Sequence, residues 1–241
     1  MDMLIDSTSS QGMLSFMDGF SGYNQIKMAA RDAEKTAFCT PYGNFHYTVK
    51  PFGLKNAGVT YQRAMIAIFH AMMGKEVEDY VDDLVVKSKT RGEHWSILRK
   101  VLKGCRAYRV KMNPKKCSFR VSTRKFLGFV VYSGGIDIDP DKAKAIASTA
   151  PPSNQKQLKS FIGRLSYIRR FIPGLAAVTK TFTPLLKKGT KFLCTEECKK
   201  AYEKVQQLVT KLPTMKAPIL GIPLKLYLVT TDTAVGALLA R

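Results

Sequence analysis

Acidic residues are scarce in this sequence. The chain of 241 residues has 18 Asp and Glu against 39 Lys and Arg, which gives a formal net charge of +21. The excess positive charges repel one another in the folded state, and the partner that usually compensates them is a polyanion. An acidic membrane surface would call for a basic amphipathic helix or a lipidation signal, and the sequence has neither. The composition therefore predicts a protein that binds nucleic acid and not a membrane.

Long apolar runs and a secretion signal are also absent. The first residues, Met1 to Asp6, carry acids where a signal peptide needs positive charge. No stretch approaches the ~18 apolar residues of a membrane span. Five cysteines, an odd and scattered number, give no disulfide framework, and no His or Cys pair near Cys194 and Cys198 completes a zinc site. We therefore expect an intracellular protein, cytoplasmic or nuclear, with reduced thiols.

The few acids are unevenly distributed along the chain. Between Glu93 and Glu196 the only acids are Asp137, Asp139 and Asp141, whereas basic residues occur throughout this stretch. A solvated helix face normally mixes both signs, so a single sign over this length favours a surface that contacts phosphates. By contrast, five acids fall close together: Glu76, Glu78, Asp79, Asp82 and Asp83. Their mutual repulsion needs an opposite charge, and a bound cation would provide it.

Hydrophobic periodicity and turn formers predict helices packed against antiparallel strands, which is an α+β fold. The predicted strands are Met13–Met17, two hairpins within Phe38–Val49 and Val77–Val86, Val110–Met112, Phe126–Tyr132, Leu224–Val229 and Val235–Leu239. The predicted helices are one that follows Asn56, one over Glu93–Tyr108, and three that begin near Asp139, Ser153 and Thr195. The stripe of apolar residues in the first helix is expected in the core: Tyr61, Met65, Ile68 and Met72.

Asp18 ends the first predicted strand, and Asp82 and Asp83 form the tip of the second hairpin. Carboxylates from two separate backbone segments can hold two cations and leave coordination positions open for substrate. Nucleotide transfer from a triphosphate needs this arrangement, because one ion activates the attacking hydroxyl and the other carries the triphosphate. Two adjacent Asp residues in a turn are also common as solvated turn formers, and taken alone they favour that simpler interpretation.

The motifs around these carboxylates resemble those of reverse transcriptases. Tyr80-Val81-Asp82-Asp83 resembles the YxDD box of that family, and Phe16–Ile26 resembles its first catalytic motif. Lys50–Ala57 is similar to the substrate-binding motif of the gypsy class of LTR retrotransposons. Together these matches favour a template-directed polymerase over a pair of solvated turn residues.

Later segments resemble the same Pol polyproteins. Val110–Cys117 and Phe126–Gly128 are similar to the end of the palm, and the segments from Leu158 and from Thr195 are similar to the region that follows it. The resemblance implies a palm over residues 1–135, a helical thumb or connection over 136–192, and the start of a ribonuclease H-like α/β domain over 193–241. We expect the fingers to be largely missing, because only 17 residues precede Asp18. We also expect the ribonuclease H-like part to be truncated and without RNA-cleaving activity.

The resemblance also implies roles for individual residues. Asp18, Asp82 and Asp83 would be the catalytic carboxylates that hold two Mg²⁺ ions, with Mn²⁺ as a substitute, and Asp83 would be the least direct ligand. The nucleotide-binding residues would be Tyr23, Phe52, Gly53, Gln62, Lys115 and Lys116. The residues that contact the primer would be Phe126, Leu127, Gly128 and Phe129.

Several of these roles have a stated physical basis and a simpler alternative. Tyr23 would pack under the sugar and exclude a 2′-hydroxyl, and the alternative is a core tyrosine. Gly53 would let the backbone approach the nucleotide closely, and Gln62 would face template or nucleotide. Lys115 or Lys116 would protonate pyrophosphate, and a general phosphate contact is an equal alternative.

The sequence thus predicts an RNA-directed DNA polymerase, a nucleotidyltransferase, from a retrotransposon. Its partners would be an RNA or DNA template with a primer and deoxynucleoside triphosphates. Because the basic residues of the fingers that hold the triphosphate are missing, we expect weak activity at most. The alternative is a catalytically inactive remnant of a retroelement that still binds nucleic acid, and the sequence leaves both interpretations open.

Overall fold

A computed structural model describes residues 2–9, 11–187, 192–216, 222–231 and 234–240. The chain divides into two compact units, Met1–Arg124 and Lys125–Arg241. Within the described ranges, no helix combines the length and the apolar character that crossing a membrane requires. The three-part division at residues 135 and 192 stays a prediction.

The first unit is an antiparallel sheet with helices packed on it. In chain order it contains α1 (Asp2–Thr8), β1 (Met13–Asp18), α2 (Ala30–Ala33), β2 (Phe38–Thr40), β3 (Gly43–Phe45), α3 (Ala57–Phe69), β4 (Val77–Tyr80), β5 (Asp83–Ser88), α4 (Arg91–Ala107) and β6 (Ser118–Val121). Strands β4, β5, β1 and β6 form one sheet in that order, with antiparallel neighbours. Strands β2 and β3 form a separate hairpin. The predicted α+β class is confirmed.

The core of the first unit lies between the sheet and the two long helices. It contains side chains from β1, α3, β4, β5 and α4, and its fully buried members include Met17, Met65, Phe69, Leu84 and Val101. Burial of each large apolar side chain contributes about 1.5–3 kcal/mol. Strands β1 and β5 are almost entirely buried, so apolar residues do not alternate with exposed polar ones, and the buried polar side chains of Ser15 and Lys87 are hydrogen-bonded. This packing fixes the ends of β1 and β5, where the acids lie.

The remaining elements are β7 (Thr123–Phe126), β8 (Phe129–Tyr132), β9 (Gly135–Ile138), α5 (Pro140–Ala147), α6 (Gln155–Ile168), α7 (Leu175–Thr179), α8 (Glu196–Thr210), β10 (Lys225–Thr231) and β11 (Ala234–Ala240). Strands β7, β8 and β9 form one small sheet, and β10 and β11 form an antiparallel hairpin. Two predicted helix starts are confirmed by side-chain caps. Asp139 Oδ1 accepts a hydrogen bond from Asp141 N–H at 3.1 Å, and Thr195 Oγ1 accepts one from Cys198 N–H at 3.3 Å.

Three local predictions were wrong. Val110–Met112 is not a strand, because Met112 forms only an isolated bridge with Gly19. Phe126–Tyr132 is not continuous, because Leu127 (φ 49°) and Gly128 (φ 76°) form a tight turn that separates β7 from β8. Helix α6 is capped by Asn154, whose Oδ1 accepts from Gln157 N–H at 2.9 Å, and not by Ser153. In each case the local residue preference was compatible with two structures, and long-range pairing or neighbouring geometry decided between them.

Candidate active site

The candidate site lies where β1 and the β4–β5 hairpin end together. Antiparallel register pairs Asp18, the last residue of β1, with Asp83, the first residue of β5. Asp82 lies in the turn between β4 and β5, after Val81 in the left-handed region at φ 57°. The N–H of Gly19 donates to the carbonyl of Asp82 at 3.0 Å, which ties this turn to the end of β1. Three Asp residues from two distant segments therefore converge.

The three carboxylates repel one another. Burial, followed by the charge of Asp18, raises the pKa of Asp82 above its ordinary value, and nearby Lys116 opposes this shift. Burial, then Asp18 and Asp82, also raise the pKa of Asp83, while Lys116 and Arg124 oppose the shift. One carboxylate oxygen of Asp82, Oδ1, is buried and has no hydrogen-bond partner among the described residues. A cation at this position would relieve both the repulsion and the unsatisfied oxygen.

The clustered acids found in the sequence separate into two groups. Lys87 Nζ lies 2.7 Å from Glu78 Oε1, and Lys100 Nζ lies 3.4 Å from Glu76 Oε1. Lysines, and not a bound ion, therefore compensate these two acids. Asp79 has no such lysine partner, and its buried Oδ2 has no hydrogen-bond partner among the described residues. Burial, then the charges of Asp82 and Asp83, raise the pKa of Asp79 to about 7.

Tyr23 lies on a short 3₁₀ turn, Gly22–Gln25, beside the carboxylates. Its ring makes edge-to-face contacts with Phe52 (5.3 Å between ring centroids) and with Tyr61 (5.8 Å). Burial and the charge of Asp82 raise the pKa of the Tyr23 hydroxyl. The glycine at position 22 allows the Tyr23 loop to lie close to Asp82, because a Cβ at this position would lie 2.7 Å from Asp82 Oδ1. The predicted sugar-contacting tyrosine is thus half-buried and adjacent to the acids.

Tyr61 was missed as a site residue. Sequence analysis placed it in the core, and it is 2% exposed, but it also forms the floor beneath the carboxylates. A Cβ added to Gly19 would lie 2.6 Å from the Tyr61 hydroxyl. Burial, followed by the charges of Asp79 and Asp82, raises the pKa of that hydroxyl. The signal that could have revealed it is the pair of glycines, Gly19 and Gly22, which leave room for a bulky side chain below the loop.

Phe52, Gly53 and Gln62 are all exposed. Phe52 is 64% exposed and contacts Tyr23, so it lies at the exposed edge of the aromatic cluster beside the carboxylates. Gly53 has φ 94°, which favours glycine, whereas nothing lies within 4 Å of a Cβ added there. The backbone conformation by itself therefore favours glycine at this position, and the close approach to a nucleotide stays a prediction. Gln62 is on the solvent side of α3, away from the buried stripe.

The two candidate lysines are both exposed but differ in their contacts. Lys116 Nζ lies 3.5 Å from Asp18 Oδ2, whereas Lys115 is held through its backbone N–H, which donates to Asn113 Oδ1 at 3.2 Å. Asn113 was also missed by sequence analysis. Its own N–H donates to the carbonyl of Asp18 at 2.8 Å and anchors the lysine loop to the end of β1. The geometry therefore selects Lys116 as the lysine that faces the acids.

The predicted primer-contacting residues lie in the second unit and form a tight turn. The rings of Phe126 and Phe129 are buried, and Phe129 stacks on Tyr167 with 5.0 Å between ring centroids. The hydroxyl of Tyr167 donates to the carbonyl of Leu127. The two phenylalanines are therefore core residues that shape the turn, while Leu127 and Gly128 are partly exposed at its tip.

The acid cluster supplies only carboxylate oxygens, which are ligands that Mg²⁺ prefers. Among the described residues, no group of three or more His, Cys, Asp and Glu side chains converges closely enough to enclose an ion. Mg²⁺ at phosphate-transferring sites usually takes one or two protein carboxylates, and substrate phosphates and water supply the other ligands. Asp18 and Asp82 fit that pattern, because they come from separate segments and Asp82 keeps one oxygen unsatisfied.

Comparisons with known proteins identify relatives of this chain. Transposon 297 of Drosophila melanogaster encodes a retrovirus-related Pol polyprotein that is 33% identical over 245 residues, covering 100% of this chain and 23% of that protein. The corresponding polyprotein of transposon opus, also from Drosophila melanogaster, is 40% identical over 169 residues, covering 70% of this chain and 17% of that protein. The chain thus spans less than a quarter of the length of these relatives.

A solved structure has the same fold. The foamy viral protease-reverse transcriptase in complex with an RNA/DNA hybrid superposes with a TM-score of 0.79 at 22% identity, covering 93% of this chain and 31% of that one. The profile of the family described as reverse transcriptase (RNA-dependent DNA polymerase) matches residues 2–131, which include the carboxylates, the Tyr23 loop and the lysine loop. This chain belongs to the reverse transcriptase family.

Proposed function

We propose that the chain is the polymerase region of a Pol polyprotein from a gypsy-class LTR retrotransposon and that it acts in RNA-directed DNA synthesis. The reaction is transfer of a deoxynucleotide to the 3′-hydroxyl of a primer. One observation carries the proposal: Asp18 pairs with Asp83 while Asp82, on the adjoining turn, keeps an unpartnered buried oxygen beside the Tyr23 loop. Acids held together against their repulsion are typical of a site whose ligand is a cation.

Asp18 and Asp82 would hold the two Mg²⁺ ions, which Mn²⁺ can replace, and Asp83 would act mainly through its charge. Bound ions would supply activation of the primer hydroxyl and neutralisation of the triphosphate. Side chains of the protein would make the remaining contacts with the substrate. Lys116, 3.5 Å from Asp18, is the better of the two lysines to contact the pyrophosphate that leaves.

The nucleotide pocket would form around the aromatic cluster. Tyr23, supported by Tyr61 beneath it and by Phe52 at its edge, would pack against the sugar and exclude a 2′-hydroxyl. A ring braced by two others resists displacement, which discrimination by steric exclusion requires. Gly53 and Gln62 would contribute at the exposed rim, Gly53 through its backbone and Gln62 through its amide.

The nucleic acid would be an RNA or DNA template with its primer. The excess of basic residues supports a phosphate-tracking surface, and the related foamy viral enzyme is described in complex with an RNA/DNA hybrid. The primer would contact the partly exposed tip at Leu127 and Gly128, while the buried rings of Phe126 and Phe129 hold that turn rigid.

The palm, thumb and ribonuclease H-like divisions at residues 135 and 192 are part of the same proposal. Support for the last of them comes from the β10–β11 hairpin. Its apolar side chains are exposed, including Leu226, Leu228, Val229, Val235 and Leu239. A two-stranded hairpin is marginally stable alone, and apolar residues on it need further strands or a helix to cover them. Such a hairpin suits the beginning of a larger sheet.

The proposal is tested by metal binding and primer extension with the 241-residue chain. Mn²⁺ binding, followed by its paramagnetic signal, should be measurable in the parent and at least tenfold weaker in Asp18→Asn and Asp82→Asn. Asp32→Asn, which removes an exposed acid held by Lys35, is the matched control and should bind as the parent does. Extension of a DNA primer on an RNA template should be weak in the parent and undetectable in Asp82→Asn.

The two measurements separate the outcomes. Unchanged Mn²⁺ binding in folded Asp18→Asn and Asp82→Asn would remove the metal site and with it the proposed chemistry. Metal binding without any synthesis, even with an RNA template and Mn²⁺, would favour the inactive nucleic-acid-binding alternative for this chain.

A further inference from the structure

Helix α4 carries an exposed aromatic and basic stripe on the side that faces away from the core. Its buried side holds Ile97, Leu98, Val101 and Cys105 against the sheet. Residues spaced three and four apart on the outer side form one continuous face. This outer stripe consists of Arg91, Trp95, Arg99, Leu102, Lys103 and Arg106, all of them exposed. None of the roles assigned to the carboxylate site uses any of these residues.

Three features of the stripe are unusual for a solvated helix face. Trp95 is 57% exposed and Leu102 is 42% exposed, so apolar surface remains open to water beside the cations. Arg99 lies over the indole of Trp95, with its guanidinium carbon 5.7 Å from the ring centroid. A shallow cavity of about 300 Å³ is lined by Trp95, Arg99, Leu102, Lys103 and Arg106. The stripe therefore offers a flat aromatic surface next to positive charge.

The charges on this face are of one sign. The acid on α4, Glu93, lies on the opposite flank of the helix by helical spacing, and so does Lys100, whose Nζ lies 3.4 Å from Glu76 Oε1. Arg99, Lys103 and Arg106 have no carboxylate within ion-pair distance among the described residues. A face with three unpaired cations complements a ligand with several regularly spaced negative charges.

We propose that the outer stripe of α4 is a second nucleic-acid site, which binds single-stranded RNA or DNA outside the carboxylate cleft. A base would stack on Trp95, and successive phosphates would contact Arg99, Lys103 and Arg106. Residues four apart on a helix advance about 6 Å along its axis, comparable to the spacing of phosphates on an extended strand. Aromatic stacking flanked by cations is the usual design of sequence-tolerant single-strand sites.

A single strand fits this stripe better than the alternatives. A duplex hides its base faces, so it would leave the indole and Leu102 uncovered. An acidic peptide could satisfy the cations, but it supplies no flat ring for the indole. An unpaired base offers such a ring at every nucleotide, which matches an exposed indole with cations along one side.

The test uses Trp95 as its own reporter, because it is the only tryptophan in the chain. A twelve-nucleotide oligothymidylate is titrated into the 241-residue protein in the presence of a saturating blunt DNA duplex, which under the proposed function occupies the carboxylate site. Trp95 emission should be quenched, and the logarithm of the affinity should fall against the logarithm of salt with a slope near −2, as expected for about three phosphates. Added duplex should not restore the emission.

Substitutions in the outer stripe test where the oligonucleotide binds. Because some variants lack Trp95, their binding is measured by the fluorescence anisotropy of a labelled oligonucleotide under the same conditions. Trp95→Ala should weaken binding roughly 5- to 100-fold, as for loss of one stacked base, and Trp95→Phe should recover part of the affinity. Arg99→Ala should weaken binding and reduce the salt slope by about 0.7. Lys100→Ala, which removes one positive charge from the neighbouring flank of the same helix, should bind as the parent does.

The results that would overturn the proposal are distinct. Binding without quenching, or an equal loss in Lys100→Ala and Arg99→Ala, would mean that the strand binds through general positive charge elsewhere. Equal quenching by oligoglutamate of the same charge would point to an acidic protein partner instead. The thermal midpoint of each variant should match that of the parent, since the substituted side chains are exposed.

Discussion

Buried charges in the β4–β5 hairpin are paired at the end away from the turn and, among the described residues, unpaired near the turn. At the end away from the turn, Lys87 and Glu78 form a buried pair with 2.7 Å between Nζ and Oε1. Lys87 also donates to the carbonyls of Ser7 and Gly74, each at 3.1 Å, so its charge is fully satisfied. Closer to the turn, Asp79, which follows Glu78 in β4, and Asp82, in the turn itself, each keep a buried oxygen with no partner among the described residues. Protein groups compensate the buried charge of Lys87 and Glu78, whereas the buried oxygens of Asp79 and Asp82 have no such compensation among the described residues.

This contrast distinguishes structural acids from functional ones within a single cluster. All five clustered acids had suggested a bound cation, yet Glu76 and Glu78 are held by lysines from elsewhere in the first unit. Burial, followed by the charges of neighbouring aspartates, raises the pKa values of Asp79, Asp82 and Asp83, and Lys116 and Arg124 oppose the shift only in part. Uncompensated repulsion, and not the number of acids, therefore marks the candidate metal site.

Removing Lys87, at the end of the hairpin away from the turn, should have the largest effect on the free energy of unfolding. Lys87→Met leaves Glu78 buried without its cation, and breaking a buried pair in this way costs about 3–5 kcal/mol. Urea unfolding followed by circular dichroism should show that loss of unfolding free energy. The control is Lys100→Ala in the exposed pair with Glu76, which should cost at most about 1 kcal/mol. Equal effects of the two substitutions would remove the distinction between the buried and the exposed pair.

Removing the charge of Asp79, closer to the turn of the hairpin, should instead raise the free energy of unfolding. The pKa of Asp79 is about 7 in the folded chain against an ordinary 3.8, so folding favours the protonated form. Its favourable contribution is complete below pH ~3.8 and is lost as the pH rises through about 7. Asp79→Asn should therefore raise the unfolding free energy at pH 8 by about 2–4 kcal/mol, without added divalent ions, and should change little at pH 4.

Unfolding in urea at the two pH values checks this prediction. A gain of the same size at pH 4 and pH 8 would show that the asparagine acts through packing and not through charge. Asp141→Asn, at an exposed position in the second unit, is a control that should show neither gain.

The smallest of the three effects on stability should come from adding a methyl group at Gly22, beside Asp82. A Cβ at Gly22 would lie 2.7 Å from Asp82 Oδ1 and 3.0 Å from the ring of Tyr61. Gly22→Ala should therefore displace the carboxylate, lower stability by about 1–3 kcal/mol and weaken Mn²⁺ binding. Gly92→Ala is the control, because nothing lies within 4 Å of a Cβ there. Unchanged metal binding in Gly22→Ala would mean that the loop does not constrain Asp82.

Features set by local sequence were predictable. The β4–β5 hairpin with Asp82 at its tip, the strand that ends at Asp18, and the helices that follow Asp139 and Thr195 are all present. Each depends on residues that are close in sequence: alternating or continuous apolar runs, turn formers, and side chains that cap the first turn. Where local preference was ambiguous, as at Leu127–Gly128, the sequence pattern failed, because a short turn within an apolar run leaves no break in hydrophobicity.

The sequence by itself thus determined the class of fold, the family motifs and the acids that form the candidate site. Only the tertiary structure decided which acids are left without a cation, that Lys116 and not Lys115 faces Asp18, and that Tyr61 lies beneath the carboxylates. It also decided that the rings of Phe126 and Phe129 are buried. The physical reason is that hydrogen bonds of turns and caps join near neighbours, whereas the partner of a charge and the neighbour of a ring depend on how distant elements pack.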